Sequence, residues 1–200
     1  MPSPAAIILA GGASRRMGRA KQALLLDGAS LLQRSIDAAR AAGCTQVVVV
    51  APAERAGQWF EPAPDLVLAL EDPPGGGPVA GIVAGTTALA GLDETIPVLL
   101  LACDLPRAPE LAAQLHAHLA EHGTAHSVVP VDDEGWAQYL CSVHPLSELR
   151  SRAALHGQGR DLSVRAFFSG LEARTPRVSP ELLVDVDTPE QARGAGVQLG

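Results

Sequence analysis

The richest chemistry in this sequence lies in one run, Leu9-Ala10-Gly11-Gly12-Ala13-Ser14-Arg15-Arg16-Met17-Gly18-Arg19-Ala20-Lys21. Two glycines let the backbone turn tightly and expose N–H groups, which can cradle phosphate oxygens or hydrogen-bond a base edge. Arg15, Arg16, Arg19 and Lys21 follow within a few residues. Arg16 and Lys21 suit a triphosphate, because a guanidinium is a planar fork for phosphate oxygens and an ammonium is a compact point charge. The run is not a Walker A loop, since no Gly-Lys-Ser/Thr closes it. It also lacks the Gly-x-Gly-x-x-Gly of dinucleotide binders. A glycine turn followed by a merely solvated basic stretch is the plainer alternative. It leaves unexplained why four cations crowd behind a buried apolar run.

Two carboxylates answer this loop further along. Asp104, in Ala102-Cys103-Asp104-Leu105-Pro106, stands at the carboxyl end of the most apolar strand. That edge of an open α/β sheet is where ligands bind. Hard carboxylate oxygens suit Mg²⁺, which keeps waters and bridges substrate phosphates, so one or two carboxylates suffice. The second is Asp187, in Val184-Asp185-Val186-Asp187-Thr188-Pro189. Asp185 and Asp187 alternate and therefore share a face. Asp187 can be a metal ligand, or it can merely assist the helix cap at Thr188. Between the two regions lies Glu71-Asp72-Pro73-Pro74-Gly75-Gly76-Gly77-Pro78-Val79-Ala80-Gly81. Its glycines allow close backbone approach, and the helix they open presents a positive dipole end.

Other polar residues point to less. His116, His118 and His122 read as a solvated helix face, and their spacing is not that of a clean metal pair. Cys44, Cys103 and Cys141 are odd in number and far apart, which suits small buried residues in a reducing compartment. Trp59, Trp136, Tyr139 and the phenylalanines read as core or loop anchors. Arg150, Arg152, Arg160 and Arg165 can meet an anionic acceptor, as can the glycine loop 157–161, with little to select among them.

Elements that could position these residues follow from periodicity. Ala5–Leu9 reads as a buried parallel strand, as do 46–51, 66–70 and 98–101. Ser30 caps a helix carrying Leu32, Ile36 and Ala39 and stopped at Gly43. A second helix opens at Pro78. A third starts with Pro109, carries Leu111, Leu115 and Leu119, and ends at Gly123. Residues 127–131 and 138–143 form a hairpin around Asp132-Asp133-Glu134-Gly135, so the sheet is mixed. Helices follow over 146–155 and 162–171, then a strand over 183–186. Thr188, Pro189 and Gln191 open a last helix with a capping box. The alternation predicts a three-layer α/β fold around a mostly parallel, mixed central sheet, with residues 1–200 as a single domain.

Composition narrows the partners. Lys and Arg number 15 against 22 Asp and Glu, a net charge of -7, which repels nucleic acid outside one compact basic cluster. The hydrophobic fraction of 47% supports a packed core. No apolar run is long enough to span a bilayer and no leader pattern precedes the first strand, so a cytoplasmic location is expected.

The Leu-Ala-Gly-Gly-x-Ser-x-Arg-Met-Gly-x-x-Lys pattern, with the two later motifs in order, resembles the Rossmann-like nucleotidyltransferase superfamily. Within that superfamily it is most similar to the molybdenum cofactor guanylyltransferases. The resemblance implies that Leu9, Ala10, Gly11 and Gly12 meet the guanine and ribose of GTP, and that Arg16 and Lys21 hold its phosphates. It implies that Asp72, Gly77, Pro78 and Gly81 lie against the nucleotide and that Asp104 binds Mg²⁺, with Asp187 beside it. The implied reaction transfers GMP from GTP to the phosphate of Mo-molybdopterin, releasing pyrophosphate and forming a guanine dinucleotide cofactor. The implied protein contact is transient, with molybdoenzymes by direct hand-over or with other cofactor-synthesis proteins. Two departures stand out. The guanylyltransferases often carry asparagines at 185 and 187, where this sequence has aspartates like the cytidylyltransferases of the same pathway, and Ala20 replaces a frequent aspartate. CTP with the same pterin, or a sugar 1-phosphate acceptor, therefore remain alternatives within the same chemistry. A non-catalytic nucleotide-binding hand-over module is the alternative of another class; a pure binder could dispense with Asp104, Arg16 and Lys21.

Overall fold

Four apolar runs form the parallel half of one sheet: β1 (Ala5–Leu9), β4 (Gln46–Val50), β5 (Leu66–Ala69) and β6 (Pro97–Ala102). The computed structural model describes residues 3–11, 20–52, 60, 63–71 and 74–198. Alternate side chains of these strands face opposite layers, so both faces must be covered. Ala6, Ile8, Val47, Val49, Leu99 and Leu101 pack under α1 (Leu31–Ala41) and α3 (Ala108–His122). Ile7, Val48, Val50, Val98 and Leu100 pack under α2 (Pro78–Ala88) and α4 (Leu146–His156), with Phe167 of the short α5 (Val164–Phe167). These are the three layers expected.

The described sheet has seven strands in the order β5-β4-β1-β6-β8-β7-β9. β8 is Cys141–Pro145, β7 is Ser127–Val128 and β9 is Ala173–Arg174. Ile7 pairs with Val48 on one side and Leu100 on the other, both parallel. β8 runs antiparallel to β6, pairing Val143 with Leu99, so the sheet is mixed. The chain moves from β1 outward to β4 and β5, then crosses back to β6 on the other side of β1. The crevice between the carboxyl ends of β1 and β6 is therefore a topological switch point, where α/β sheets bind ligands.

The caps follow sequence signals. Ser30 accepts from Gln33 N–H at 3.0 Å to start α1, and Gly43 takes a left-handed φ of +83° beyond its end. Thr188 and Gln191 form the expected capping box of α6 (Pro189–Gly194). A small hairpin, β2 (Leu25–Leu26) with β3 (Ala29–Ser30), turns on Asp27 and Gly28, both at positive φ.

Four expectations are corrected. Residues 183–186 are not a strand. Both flanks of β6 are already taken by β1 and β8, so no edge is left there to pair with. Leu183 instead ends a 3-10 turn (Pro180–Leu182), and the chain then crosses the end of β6. The helix expected over 162–171 shrinks to α5, because Ser163 caps its start and Gly170 turns at φ +70°. The hairpin over 127–143 is present, but Pro130 lacks an N–H and breaks the ladder after β7. Pro109 is the second residue of α3, not the first. Among the described residues no helix is long and apolar enough to cross a membrane.

Candidate active site

The site is built at the carboxyl edge of β1, β5 and β6. Ala10 continues the ladder by donating to the Val50 carbonyl at 2.8 Å, and Cys103 donates to the Leu9 carbonyl at 3.1 Å. These bonds set Gly11 and Asp104 side by side at the switch point. Lys21–Ala23 form a 3-10 turn. Gln22 pins that turn: its side chain is buried and its Nε2 donates to the Ala10 carbonyl. Lys21 is thereby aimed across the end of β6. Its Nζ lies 3.2 Å from Asp104 Oδ2 and is bonded to Asp187 Oδ1.

Asp187 arrives by another route. Val186 donates its N–H to the Asp104 carbonyl at 3.0 Å and buries its side chain with Leu24, Leu31, Ala192 and Val197. Because neighbours in an extended segment alternate, Asp185 and Asp187 are left on the other face, toward Asp104. The capping box is made by Thr188 and Gln191, whose Oε1 accepts from the N–H groups of Asp187 and Thr188 at 2.9 and 2.8 Å. The Asp187 carboxylate is thus not needed for the cap and is turned to Lys21. Asp104, Asp185 and Asp187 each offer an oxygen within 4.8 Å of the others.

Electrostatics follow from this crowding. Burial works to lower the Lys21 ammonium, but Asp187 and Asp104 outweigh it, so it is held above the ordinary lysine value. Partial burial, then the charges of Asp187 and Asp104, push Asp185 above the usual carboxylate range, with Lys21 opposing. Three carboxylates and one ammonium leave this point short of positive charge. Hard oxygens in that number fit a divalent cation that keeps part of its water.

The second glycine motif closes the other side. Gly77 takes φ +90° before Pro78 opens α2. A Cβ on Gly81 would stand 3.0 Å from Leu9 Cδ2, so glycine lets α2 lie against the end of β1. Glu71 Oε2 accepts from Gly76 N–H at 2.8 Å, and its Oε1 lies 3.2 Å from where a Gly11 Cβ would be. Glu71 therefore braces the second glycine turn and lies against Gly11 of the first, a role not evident in the sequence. The structure brings Leu9, Ala10, Gly11, Lys21, Gly77, Pro78, Gly81, Asp104 and Asp187 to one sheet edge. Gly12, Arg16 and Asp72 lie outside the described residues.

A cleft of about 660 Å³ continues from Asp104 and Asp185, and Trp136, Gln138, Tyr139 and Arg165 help to line it. The arginines set aside earlier now sort themselves. Arg150 is spent on Glu94 and on the carbonyls at the end of α2, and Arg152 on Glu148 and the Phe167 carbonyl. Arg160 packs beside Gly76 in the 157–161 loop, which ties to the start of α2 through Asp161 N–H and the Gly76 carbonyl. Only Arg165 of these four faces the cleft. The three cysteines are buried and free, and Cys103, next to Asp104, has its thiol pushed up by burial and then by that carboxylate.

Residues 6–175 match the model of the MobA-like NTP transferase domain. A protein of Synechococcus elongatus named probable molybdenum cofactor guanylyltransferase is 38% identical over 144 residues, covering 70% of this chain and 72% of its own. The molybdenum cofactor guanylyltransferase of Rhizobium meliloti is 30% identical over 214 residues, covering 98% and 92%. The fold is shared with the Mycobacterium tuberculosis protein Rv0371c, solved in complex with manganese: TM-score 0.69, 22% identity, 96% of this chain and 97% of that one.

Proposed function

The chain belongs to the MobA-like NTP transferase family, and we propose that it transfers GMP from GTP to the phosphate of Mo-molybdopterin. The observation that carries this reading is the meeting of Lys21, Asp104 and Asp187 beside Gly11, at the switch point of the sheet. A polyphosphate laid along that edge has backbone N–H groups at one end and an ammonium beside carboxylates at the other. The relatives named guanylyltransferases supply the base and the acceptor.

An oxygen of the acceptor phosphate attacks the α-phosphorus of GTP. A new P–O bond forms, the bond from the α-phosphorus to the bridging oxygen breaks, and pyrophosphate leaves with the electron pair. Both reactants are anions, so charge neutralisation and placement dominate the barrier. Gly11 and Gly12 let the backbone approach the nucleotide, Lys21 and Arg16 neutralise its phosphates, and Asp72 lies against the nucleotide in this reading. No side-chain nucleophile is required, and Cys103 is unsuited to that role because its thiol stays protonated. Asp104 and Asp187 would hold a divalent cation, which we take to be Mg²⁺. When bound, it supplies charge neutralisation on the triphosphate. The chain acts as one domain in the cytoplasm, where buried free thiols persist, and it hands its labile product to an apo-molybdoenzyme.

The test is calorimetry of GTP, CTP, ATP and UTP with Mg²⁺ on wild type and Asp104→Ala, followed by pyrophosphate release with molybdopterin. GTP alone should bind tightly, and Asp104→Ala should cut turnover by at least about 100-fold. A CTP preference would move the reading to the cytidylyltransferase, for which Asp185 and Asp187 already speak. Nucleotide binding without pyrophosphate release would mean a hand-over module.

A further inference from the structure

The cleft that opens from Asp104 and Asp185 carries an unusual wall. Trp136 is 60% exposed, although tryptophan normally contributes its area to a core. It is not on a loose loop. Trp136 N–H donates to Asp132 Oδ1 at 2.8 Å, its carbonyl accepts from Asp132 N–H at 3.2 Å, and its Nε1 donates to Glu134 Oε2 at 3.2 Å. Gly135 makes the turn possible at φ +86°, and Val131 bridges to Ala137 just below it. The backbone and the indole edge are therefore both held, which leaves the ring as a preset, water-facing surface.

Three further features define what would lie on it. The cleft's volume of about 660 Å³ falls within the range of about 300–1,000 Å³ of small-molecule sites. Leu105, Leu140, Val164 and Leu183 add apolar surface beside Trp136, with Gln138 and Tyr139 as the polar groups among them. Arg165 lines it as well. Among the described residues Arg165 has no ion pair or hydrogen bond, whereas Arg150 and Arg152 are fully engaged. In a chain of net charge -7, one uncommitted guanidinium in a cleft beside three carboxylates is a suitable place for an acceptor's anionic group.

We propose that Trp136 and Arg165 select the acceptor: the indole stacks on a planar conjugated ring system, and Arg165 holds the anionic group that the same molecule carries. This rests on the acceptor assignment made above and adds the residues that discriminate. Stacking needs a flat π-face on the ligand, which a pterin has and a sugar 1-phosphate lacks.

The test separates this inference from the choice of nucleotide. Indole fluorescence of a Trp59→Phe protein, in which Trp136 is the only tryptophan, is titrated with molybdopterin in the absence of nucleotide. Quenching that saturates is expected, with binding weakened about tenfold or more in Arg165→Gln. In the transfer assay Trp136→Ala should raise the KM for molybdopterin about tenfold or more, and Trp136→Phe should recover most of the loss. The KM for GTP and the kcat at saturating acceptor should stay within about twofold of wild type. Thermal unfolding of each variant checks that the hairpin still folds. Molybdopterin binding of wild-type strength in Trp136→Ala would overturn the inference and leave the proposed reaction standing. Saturable quenching without any GTP binding would sustain the inference and overturn the donor. Acceptance of a sugar 1-phosphate in place of the pterin would overturn both.

Discussion

Lys21 stands where a metal ion's charge would be wanted. Its ammonium satisfies Asp104 and Asp187, which are 83 and 166 residues away along the chain. An ammonium and a divalent cation compete for the same oxygens, so in the proposed reaction the lysine would oppose bare-metal binding and would turn to the triphosphate when nucleotide is bound. Lys21→Met should therefore tighten Mn²⁺ binding without nucleotide by on the order of tenfold, while weakening GTP binding by a similar factor. Paramagnetic titration of Mn²⁺ and calorimetry of GTP measure the two effects. Weaker Mn²⁺ binding in the variant would show that Lys21 supports the metal site instead of competing for it. The same residue illustrates the limit of motif reading. The loop motif marks Lys21 as a phosphate ligand, but its contact with Asp187 depends on a turn that Gln22 anchors to Ala10.

At the scale of elements, α2 must lie close to β1 for Gly81 to reach Leu9. Gly85 permits it: a Cβ there would stand 2.5 Å from Ile7 Cγ2, on a branched, stiff and fully buried side chain. Alanine would gain about 1 kcal/mol of helix propensity over glycine. Overpacking a buried contact costs about 1–3 kcal/mol, and the helix would also be lifted off the strand. Gly85→Ala should thus destabilise by up to about 2 kcal/mol in urea unfolding and also weaken GTP binding, since the lifted helix carries Gly81. A stabilised variant with unchanged nucleotide affinity would refute the close-packing role. The misread segment 183–186 belongs to this scale too. Its apolar-acidic alternation is that of a strand, and Asp185 and Asp187 do meet Asp104 while Val186 is buried. Period-two alternation reports which way side chains point but not whether a neighbouring strand has an edge to offer.

For the whole molecule, the sheet's mixed half contains a titratable group that bears on stability. His144 in β8 is fully buried, between Ser142 Oγ at 2.7 Å from Nε2 and Ser127 Oγ at 2.9 Å from Nδ1. Ser142 already donates to the Tyr139 carbonyl, so it accepts from Nε2–H, and Ser127 donates to Nδ1. Both ring nitrogens are used by a neutral imidazole. Burial, and then the charge of Arg152, push its pKa down to about 3 from an ordinary 6.5. Between those two pH values the unfolded chain binds a proton that the folded chain refuses. Stability from this group is therefore complete above about pH 6.5 and is lost as pH falls toward 3, at up to about 1.4 kcal/mol per pH unit. Urea unfolding from pH 7 to 4 should show that slope in wild type and a shallower one in His144→Gln. Equal slopes would mean that the imidazole is protonated in the fold.

What the sequence alone determined is local or periodic in nature. The capping signals of α1 and α6, the parallel strands and the position of Asp104 at a strand end all depend on residues within a few positions of each other. Their physical causes, backbone freedom, cap hydrogen bonds and alternation, act over that range. The tertiary structure alone decided which distant groups meet. It set the Val186 bond that swings Asp185 and Asp187 over Asp104, engaged Arg150 and Arg152 while leaving Arg165 in the cleft, and turned Trp136 from an expected anchor into an exposed wall. These outcomes depend on strand order and on which edges of the sheet are already filled. That is a property of the whole chain's packing, so no short pattern of residues could encode it.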